Sequence, residues 1–203
     1  YVQYIGSLLV LLWGMILFVK LYLRGKKHNF YDKRYDSITA NWNNKNIAGI
    51  CYCNFQSLIA SIFCISLQFL YRHDGSLGYS LIGVLIMLIG LLLEIIADEQ
   101  LRIFKNKKQT KSVNGKTFCT KGLWSYSRHP NYFGECFFWI GFSITCFIIS
   151  LNILSFILPF LLIMLFLYIT IPIAEKLSLK KYGEPYKLYQ QNTPILFPVK
   201  FKK

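Results

Sequence analysis

The stretch at residues 122–135, GLWSYSRHPNYFGE, places Arg, His, Asn and Glu at the entrance of a strongly apolar run. Pro130 suits the first position of a helix, because that position needs no N–H partner. The residue before a proline prefers an extended backbone, so His129 should lie just outside the helix. The sequence therefore predicts a helix that begins at Pro130, with polar side chains gathered around its start.

This helix start has the groups that bind an anion. Asn131 and Glu135 are spaced to share one face of the helix, and free N–H groups at a helix N-terminus suit phosphate or carboxylate. Arg128, just outside, could add a bidentate contact. The alternative is a membrane anchor, because Trp and Tyr are enriched at the bilayer surface. Anchoring would not explain the pair of Asn131 and Glu135, but it would explain the aromatic residues Trp124, Tyr126 and Tyr132.

A second polar group lies in ADEQLRIFK, residues 97–105, where an apolar run ends. If the helix continues, Asp98, Arg102 and Lys105 share one face. They could hold a ligand, or they could form an ordinary ion pair at a solvated helix end. Glu94, one turn earlier, lies inside the apolar run. An ionisable residue at that depth is costly and is a candidate for a substrate pocket.

A third polar segment covers residues 172–198. We expect the last apolar helix to end at Glu175, and Gly183 to interrupt the chain before a further helix. A stripe of tyrosines at helical spacing is either a packing face or the wall of a ligand site, and consists of Tyr182, Tyr186 and Tyr189.

The remaining polar residues are less specific. Gln56 lies early in an apolar run, where its amide could bond to another helix or line a pocket. The segment DKRYD, residues 32–36, forms a further polar cluster with Arg24. Six Cys and three His show no metal-ligand spacing, so we expect no metal site.

The elements that must position these residues are membrane helices. The chain has 203 residues, of which 54% are hydrophobic, and contains five apolar runs of roughly the length that crosses a bilayer. Backbone groups in lipid must bond within their own segment, so the runs should be helices. We predict an all-α, multi-pass membrane protein with one domain over residues 1–203. The predicted spans are 4–23, 51–71, 77–97, 134–151 and 153–174, followed by a tail at 175–203.

The net charge of +14 follows the topology of these spans. The four connections and the tail carry six, one, eight, no and seven Lys and Arg in chain order. This alternation predicts that the basic segments face the cytosol. It favours attraction to anionic lipid or an anionic cofactor over nucleic-acid binding. We also expect further helices upstream of Tyr1.

The motif LWSYSRHPNYFGE, with ADEQLRIF before it and P-x-x-E and YG-x-x-Y-x-x-Y after it, resembles the steroid 5-alpha-reductase C-terminal domain family. The block ADEQ-x-x-x-F points to its DUF1295 branch. The resemblance implies one of two chemistries. Reductases of this superfamily use NADPH to reduce a carbon–carbon double bond. Its methyltransferases, acting on isoprenylcysteine or phospholipid, use S-adenosylmethionine and carry paired Glu after an Arg near the end of their last helix.

The resemblance favours the reductase, because this chain has only Glu175 at the position of the paired Glu. It implies a substrate that is a steroid or another lipid enone, drawn from the bilayer. The proton-donating Tyr of the steroid reductases would fall near Leu12 or Trp13, so no catalytic residue is assigned. A catalytically idle scaffold or lipid-binding protein is the third alternative. By resemblance, the residues that hold NADPH are Asp98, Arg102, Lys105, Arg128, Asn131, Glu135, Tyr182 and Tyr186.

The sequence is silent on oligomeric state. The membrane would be the endoplasmic reticulum in a eukaryote and the inner membrane in a bacterium.

Overall fold

A computed structural model describes residues 1–27, 44–71, 77–110 and 118–198 of the chain. Within these ranges the chain is helical and contains no strand. The predicted all-α architecture is therefore confirmed. The cluster at residues 32–36 lies outside the described residues, and the side chains of Arg24 and Gln56 are also not described. The α-helices are α1 (Val2–Lys27), α2 (Lys45–Gln68), α3 (Leu77–Thr110), α4 (Pro130–Ser150), α5 (Ile157–Leu165), α6 (Ile171–Tyr182) and α7 (Glu184–Asn192).

Four stretches of the described chain are long and apolar enough to cross a membrane. They are Val2–Leu23, Gly78–Asn106, Pro130–Ser150 and Ile153–Tyr182. The predicted span at 51–71 is helical, but its apolar part, Ser57–Tyr71, is shorter than the others. The apolar part begins only after Asn54 and Gln56, two polar residues inside the predicted span.

The last long stretch combines α5, a π-helical turn at Phe166–Thr170 and α6. Our expectation that the helix ends at Glu175 is wrong, because α6 continues to Tyr182. The predicted interruption at Gly183 is confirmed. This residue has a φ of +70°, which glycine adopts without steric penalty, and α7 begins directly after it.

The chain divides into two compact units. The first comprises Tyr1–Val84 and Phe142–Leu158, and its core includes the fully buried Leu70, Cys146 and Ile149. Thr145 in α4 donates a hydrogen bond to the carbonyl of Ser80 in α3, at 3.4 Å. This unit contains the N-terminal helices. The expectation of a single domain stays a prediction.

The second unit comprises Leu85–Gly141 and Pro159–Lys203, and it contains the polar motifs. Its helices α3 and α4 cross with their backbones in contact at two glycines. A Cβ atom on Gly90 would lie 2.3 Å from the amide N of Phe138, and one on Gly134 would lie 2.5 Å from the amide N of Glu94. Small residues permit such close approach between membrane helices. The crossing therefore fixes α4 against α3, next to the polar residues at the end of α3 and at the start of α4.

Candidate functional site

The loop at residues 118–129 is attached to the end of α3. Gly122 has a φ of +64° and opens a 3₁₀ turn at Gly122–Ser125. The amide of Leu123 donates to Oε1 of Gln100 at 2.9 Å, and the indole Nε1 of Trp124 donates to the carbonyl of Ala97 at 3.0 Å. Trp124 is thus bonded to the protein backbone, and the alternative of a membrane anchor stays a prediction.

The C-terminal segment lies along the other side of this loop. The amide of Arg128 donates to the carbonyl of Pro194 at 2.9 Å, and the hydroxyl of Ser127 donates to the carbonyl of Leu196 at 2.8 Å. The side chain of Leu196 is fully buried. These bonds join residues that are more than 60 positions apart in the sequence, so the loop is held by tertiary contacts.

The tyrosine stripe packs around one aromatic side chain of the loop. The ring centroid of Phe118 lies 5.3, 5.1 and 5.3 Å from those of Tyr182, Tyr186 and Tyr189. The hydroxyl of Tyr189 also donates to the carbonyl of Trp124. The stripe therefore packs against the loop through Phe118, and its role as the wall of a ligand site stays a prediction.

A buried carboxylate joins the loop to the last two helices. Glu175 on α6 accepts hydrogen bonds from Nη1 of Arg128 and, at 2.9 Å, from Nε2 of His129. It also accepts from the hydroxyl of Tyr186 at 3.0 Å and from Nε2 of Gln190, both on α7. We call these five side chains the Glu175 cluster. It gathers two of the predicted cofactor residues, Arg128 and Tyr186.

The electrostatics of the cluster follow from its burial. The side chains of Arg128 and Glu175 are each about 10% exposed, so their opposite charges compensate each other away from solvent. Burial raises the pKa of Tyr186, and the negative charge of Glu175 raises that pKa further. The Tyr186 hydroxyl therefore remains a proton-bearing donor at neutral pH.

The start of α4 has the geometry that the sequence predicts. The helix begins at Pro130, and His129 lies outside it. The ring of His129 stacks on that of Tyr132 at 5.4 Å, and the Tyr132 ring stacks on that of Phe166 at 4.6 Å. Phe166 is the first residue of the π-helical turn, so this stack ties the entrance of α4 to the helix that carries Glu175.

Two buried polar atoms near this helix start have no hydrogen-bond partner among the described residues. They are Oδ1 of Asn131 and Nε of Arg128. Buried polar groups are normally bonded, so each such atom requires an explanation, and a bond to a ligand or a water molecule is a common one. The position of these atoms beside the N-terminus of α4 makes that end of the helix the strongest candidate for a ligand site.

The predicted polar group at the end of α3 is more exposed than the residues at the start of α4. Arg102 donates from Nε and Nη2 to the carboxylate of Glu99, both at 2.6 Å, and both side chains are largely in solvent. The predicted helix face places Arg102 with Asp98. The structure shows the guanidinium of Arg102 bonded to Glu99, three residues earlier. Lys105 is exposed and Asp98 is half-buried.

The other two predicted acidic residues lie in the helices that cross. Glu94 is buried, and its backbone contacts Gly134 at the crossing of α3 and α4. Glu135 is half-buried on α4, one residue after that contact. The proposed pocket role of Gln56 rests on a side chain that is not described.

An open, apolar cavity of about 260 Å³ borders the loop. Its lining comes from α3, the loop, the start of α4 and the C-terminal segment. This volume is below the roughly 300–1,000 Å³ of pockets that enclose drug-sized ligands. The lining residues of the cavity are Leu93, Leu123, Tyr126, Ser127, Pro130, Phe133 and Pro198.

His129, Glu175 and Gln190 were not predicted as site residues from the sequence. His129 and Glu175 both belong to the motifs that carry the family resemblance, so a signal for them existed. Gln190 had no such signal, because nothing local distinguishes it from the neighbouring Gln191. In the described part of the chain, no three His, Cys, Asp or Glu side chains form a group that could hold a metal.

The long apolar helices place this chain in the class of multi-pass, all-α integral membrane proteins. The family described as "Protein of unknown function (DUF1295)" matches residues 2–193, and the chain belongs to this family. The chain is 26% identical over 146 residues to Delta(14)-sterol reductase from Mus musculus. That match covers 65% of this chain and 34% of the mouse protein, so the chain spans about a third of its relative's length. No solved structure matches the chain.

Proposed function

We propose that this protein is an NADPH-dependent membrane reductase that reduces a carbon–carbon double bond of a sterol or another lipid. The similarity to Delta(14)-sterol reductase supports a reductase. The observation that carries the site is the pair of unpartnered buried atoms, Oδ1 of Asn131 and Nε of Arg128, beside the start of α4.

The residues at this helix start fit a dinucleotide cofactor. Asn131 offers an acceptor without a described partner, and the N-terminus of α4 adds free N–H groups and a partial positive charge. Arg128 is compensated by Glu175, so it contributes a directed N–H donor rather than a net charge. The half-buried Tyr182 and the buried Tyr186 would border the cofactor from the side of the tyrosine stripe.

Positive charge for the phosphates would come from the end of α3. Arg102 and Lys105 are both exposed there, and Asp98 could accept from a ribose or amide group. The pair of Arg102 and Glu99 is solvent-exposed, so a phosphate could replace the Glu99 carboxylate at little cost. Glu135 on α4 would contribute a second acceptor on the face of Asn131.

NADPH, when bound, supplies the hydride for reduction of the double bond. The chain's own residues would bind the cofactor and the substrate, orient them and exclude water. The backbone contact of α3 with α4 and the hydrogen bonds of the loop provide a rigid frame for that purpose. The apolar cavity beside the loop offers space for part of a lipid, and Glu94 and Gln56 stay candidates for the substrate side.

The topology is part of the proposal. The alternating charge would place α7, the loop and the end of α3 on the cytosolic side, with the substrate entering from the bilayer. The membrane would be the endoplasmic reticulum or the bacterial inner membrane. A reporter tag in the connection that contains Lys107 and Lys121 tests this orientation, and a signal on the non-cytosolic side would contradict it.

Ligand-dependent melting of the full-length protein tests the cofactor. A ligand that binds only the folded state adds about 2.7 kcal/mol of stability at a concentration of 100 Kd. NADPH should raise the Tm of the protein in detergent, and S-adenosylmethionine should leave it unchanged. A shift with S-adenosylmethionine alone would support the methyltransferase alternative. No shift with NADPH, NADH or S-adenosylmethionine would support the scaffold and contradict the proposal.

A further inference from the structure

Glu175 is the common acceptor for donors from two separate parts of the second unit. Arg128 and His129 reach it from the loop, and Tyr186 and Gln190 reach it from α7. Its carboxylate therefore links the entrance of α4 to the C-terminal helices. The sequence separations of 47, 46, 11 and 15 residues show that this link is tertiary rather than local.

An ionised carboxylate is the side chain that can accept four such bonds. Its two oxygens offer about four lone-pair sites and no donor. A glutamine of the same shape has one oxygen, and its NH₂ group would face donors on Arg128, His129 or Gln190. The negative charge is needed as well, because Arg128 is buried beside it.

The same carboxylate sets which ring nitrogen of His129 is available. Nε2 faces Oε1 of Glu175 at 2.9 Å, so the proton of a neutral ring belongs on Nε2. Nδ1 is then an acceptor. Stacking on Tyr132, with the two ring planes 6° apart, fixes the orientation of the ring. Glu175 thus determines the hydrogen-bonding character of His129 as well as its place.

We infer that Glu175 is a positioning residue for cofactor binding: it orients Arg128 and His129 beside Asn131 at the entrance of α4. This inference rests on the proposed reductase function. It assigns Glu175 no contact with the cofactor, and its effect passes through the two loop side chains. The carboxylate of Glu175 does not need to reach the ligand for its position to set the ligand's affinity.

The test compares Glu175→Asp, Glu175→Gln and the control Glu184→Gln in the full chain. Glu184 is an exposed carboxylate on α7 whose described ion pair is with Lys187. The ligand-free Tm and the Kd for NADPH are measured for each variant from the dependence of melting on ligand concentration.

We expect Glu175→Asp to keep the charge that compensates Arg128, and so to melt close to wild type. Its carboxylate is withdrawn by one methylene, which should raise the Kd for NADPH by about tenfold to a hundredfold, because small misplacements of binding groups have effects of this size. Glu175→Gln should lower the Tm and raise the Kd. Glu184→Gln should change neither.

A wild-type Kd in Glu175→Asp overturns the inference while leaving the proposed function intact. A Kd that rises only in proportion to the loss of ligand-free Tm also overturns it, since that is the behaviour of a residue that only supports the fold. If neither Glu175 variant can be purified, His129→Ala replaces them, and a wild-type Kd for NADPH in that variant is equally contradictory. Wild-type protein without any response to NADPH contradicts both proposals.

Discussion

Two regions of the second unit present an arginine to a glutamate, and they differ in almost every other respect. Arg128 and Glu175 are buried, belong to different elements and share their bonds with three further side chains. Arg102 and Glu99 are three residues apart on one helix, and both lie largely in solvent. The buried pair is part of the framework of the fold. In the exposed pair, Arg102 can release Glu99 and bind another anion.

Arg128 and Arg102 were both predicted to hold NADPH, and their different burial assigns them different roles. A buried ion pair is costly to break, because the remaining charge is left without water or partner. An exposed pair contributes little to folding, because water and salt screen it. Arg102 is therefore the better candidate for a charge that binds a phosphate. Arg128 is the better candidate for a donor held at a fixed position.

The largest expected effect tests the buried pair against the exposed one. Arg128→Gln leaves Glu175 buried without its cation and should lower the free energy of unfolding by about 3–5 kcal/mol. The matched control is Arg102→Gln, which should leave the ligand-free Tm unchanged. Both are measured by thermal melting in the same detergent. Equal losses in the two variants would remove the distinction between the regions.

The crossing of α3 and α4 supports both regions, and disturbing it should affect both. Gly134→Ala places a methyl group within 2.5 Å of the amide N of Glu94 and should reduce stability by about 1–3 kcal/mol through overpacking. Gly78→Ala, which places its methyl group in open space on α3, is the control and should not destabilise the fold. A Gly134→Ala variant that melts like Gly78→Ala would contradict a backbone contact this close between α3 and α4.

A smaller effect on binding should distinguish the exposed region. Arg102→Gln should raise the Kd for NADPH by about tenfold, or about 1.4 kcal/mol, through the loss of one phosphate contact. Lys121→Gln removes an exposed positive charge from the loop and serves as the control for general electrostatic attraction. The Kd values come from ligand titration at constant ionic strength. An equal rise in both variants would indicate nonspecific attraction.

The sequence predicted the parts of the fold that depend on local chemistry. Pro130 starts α4 because a proline needs no donor there, and Gly183 separates α6 from α7 because its backbone has positive φ. The end of α6 was misplaced. The chain beyond Glu175 is mostly exposed, yet the helix continues to Tyr182 and ends where Gly183 takes a positive φ.

The Glu175 cluster could not be predicted from sequence in the same way. Its members come from the loop, α6 and α7, and no spacing rule connects residues 46 or 47 positions apart. The motifs did contain His129 and Glu175, yet they could not show that one carboxylate serves both. In α3, helical spacing offered Arg102 two acidic neighbours, Asp98 and Glu99, and the structure shows a bidentate bond to Glu99.

The central claim is that a cofactor binds at the entrance of α4, and melting of Asn131→Ala with and without NADPH tests it most directly. Oδ1 of Asn131 has no partner among the described residues, so its removal should leave the ligand-free Tm unchanged. Asn192→Ala, an exposed asparagine on α7, is the control. The Kd for NADPH should rise about tenfold or more in Asn131→Ala only. A wild-type Kd in Asn131→Ala would contradict cofactor binding at the entrance of α4.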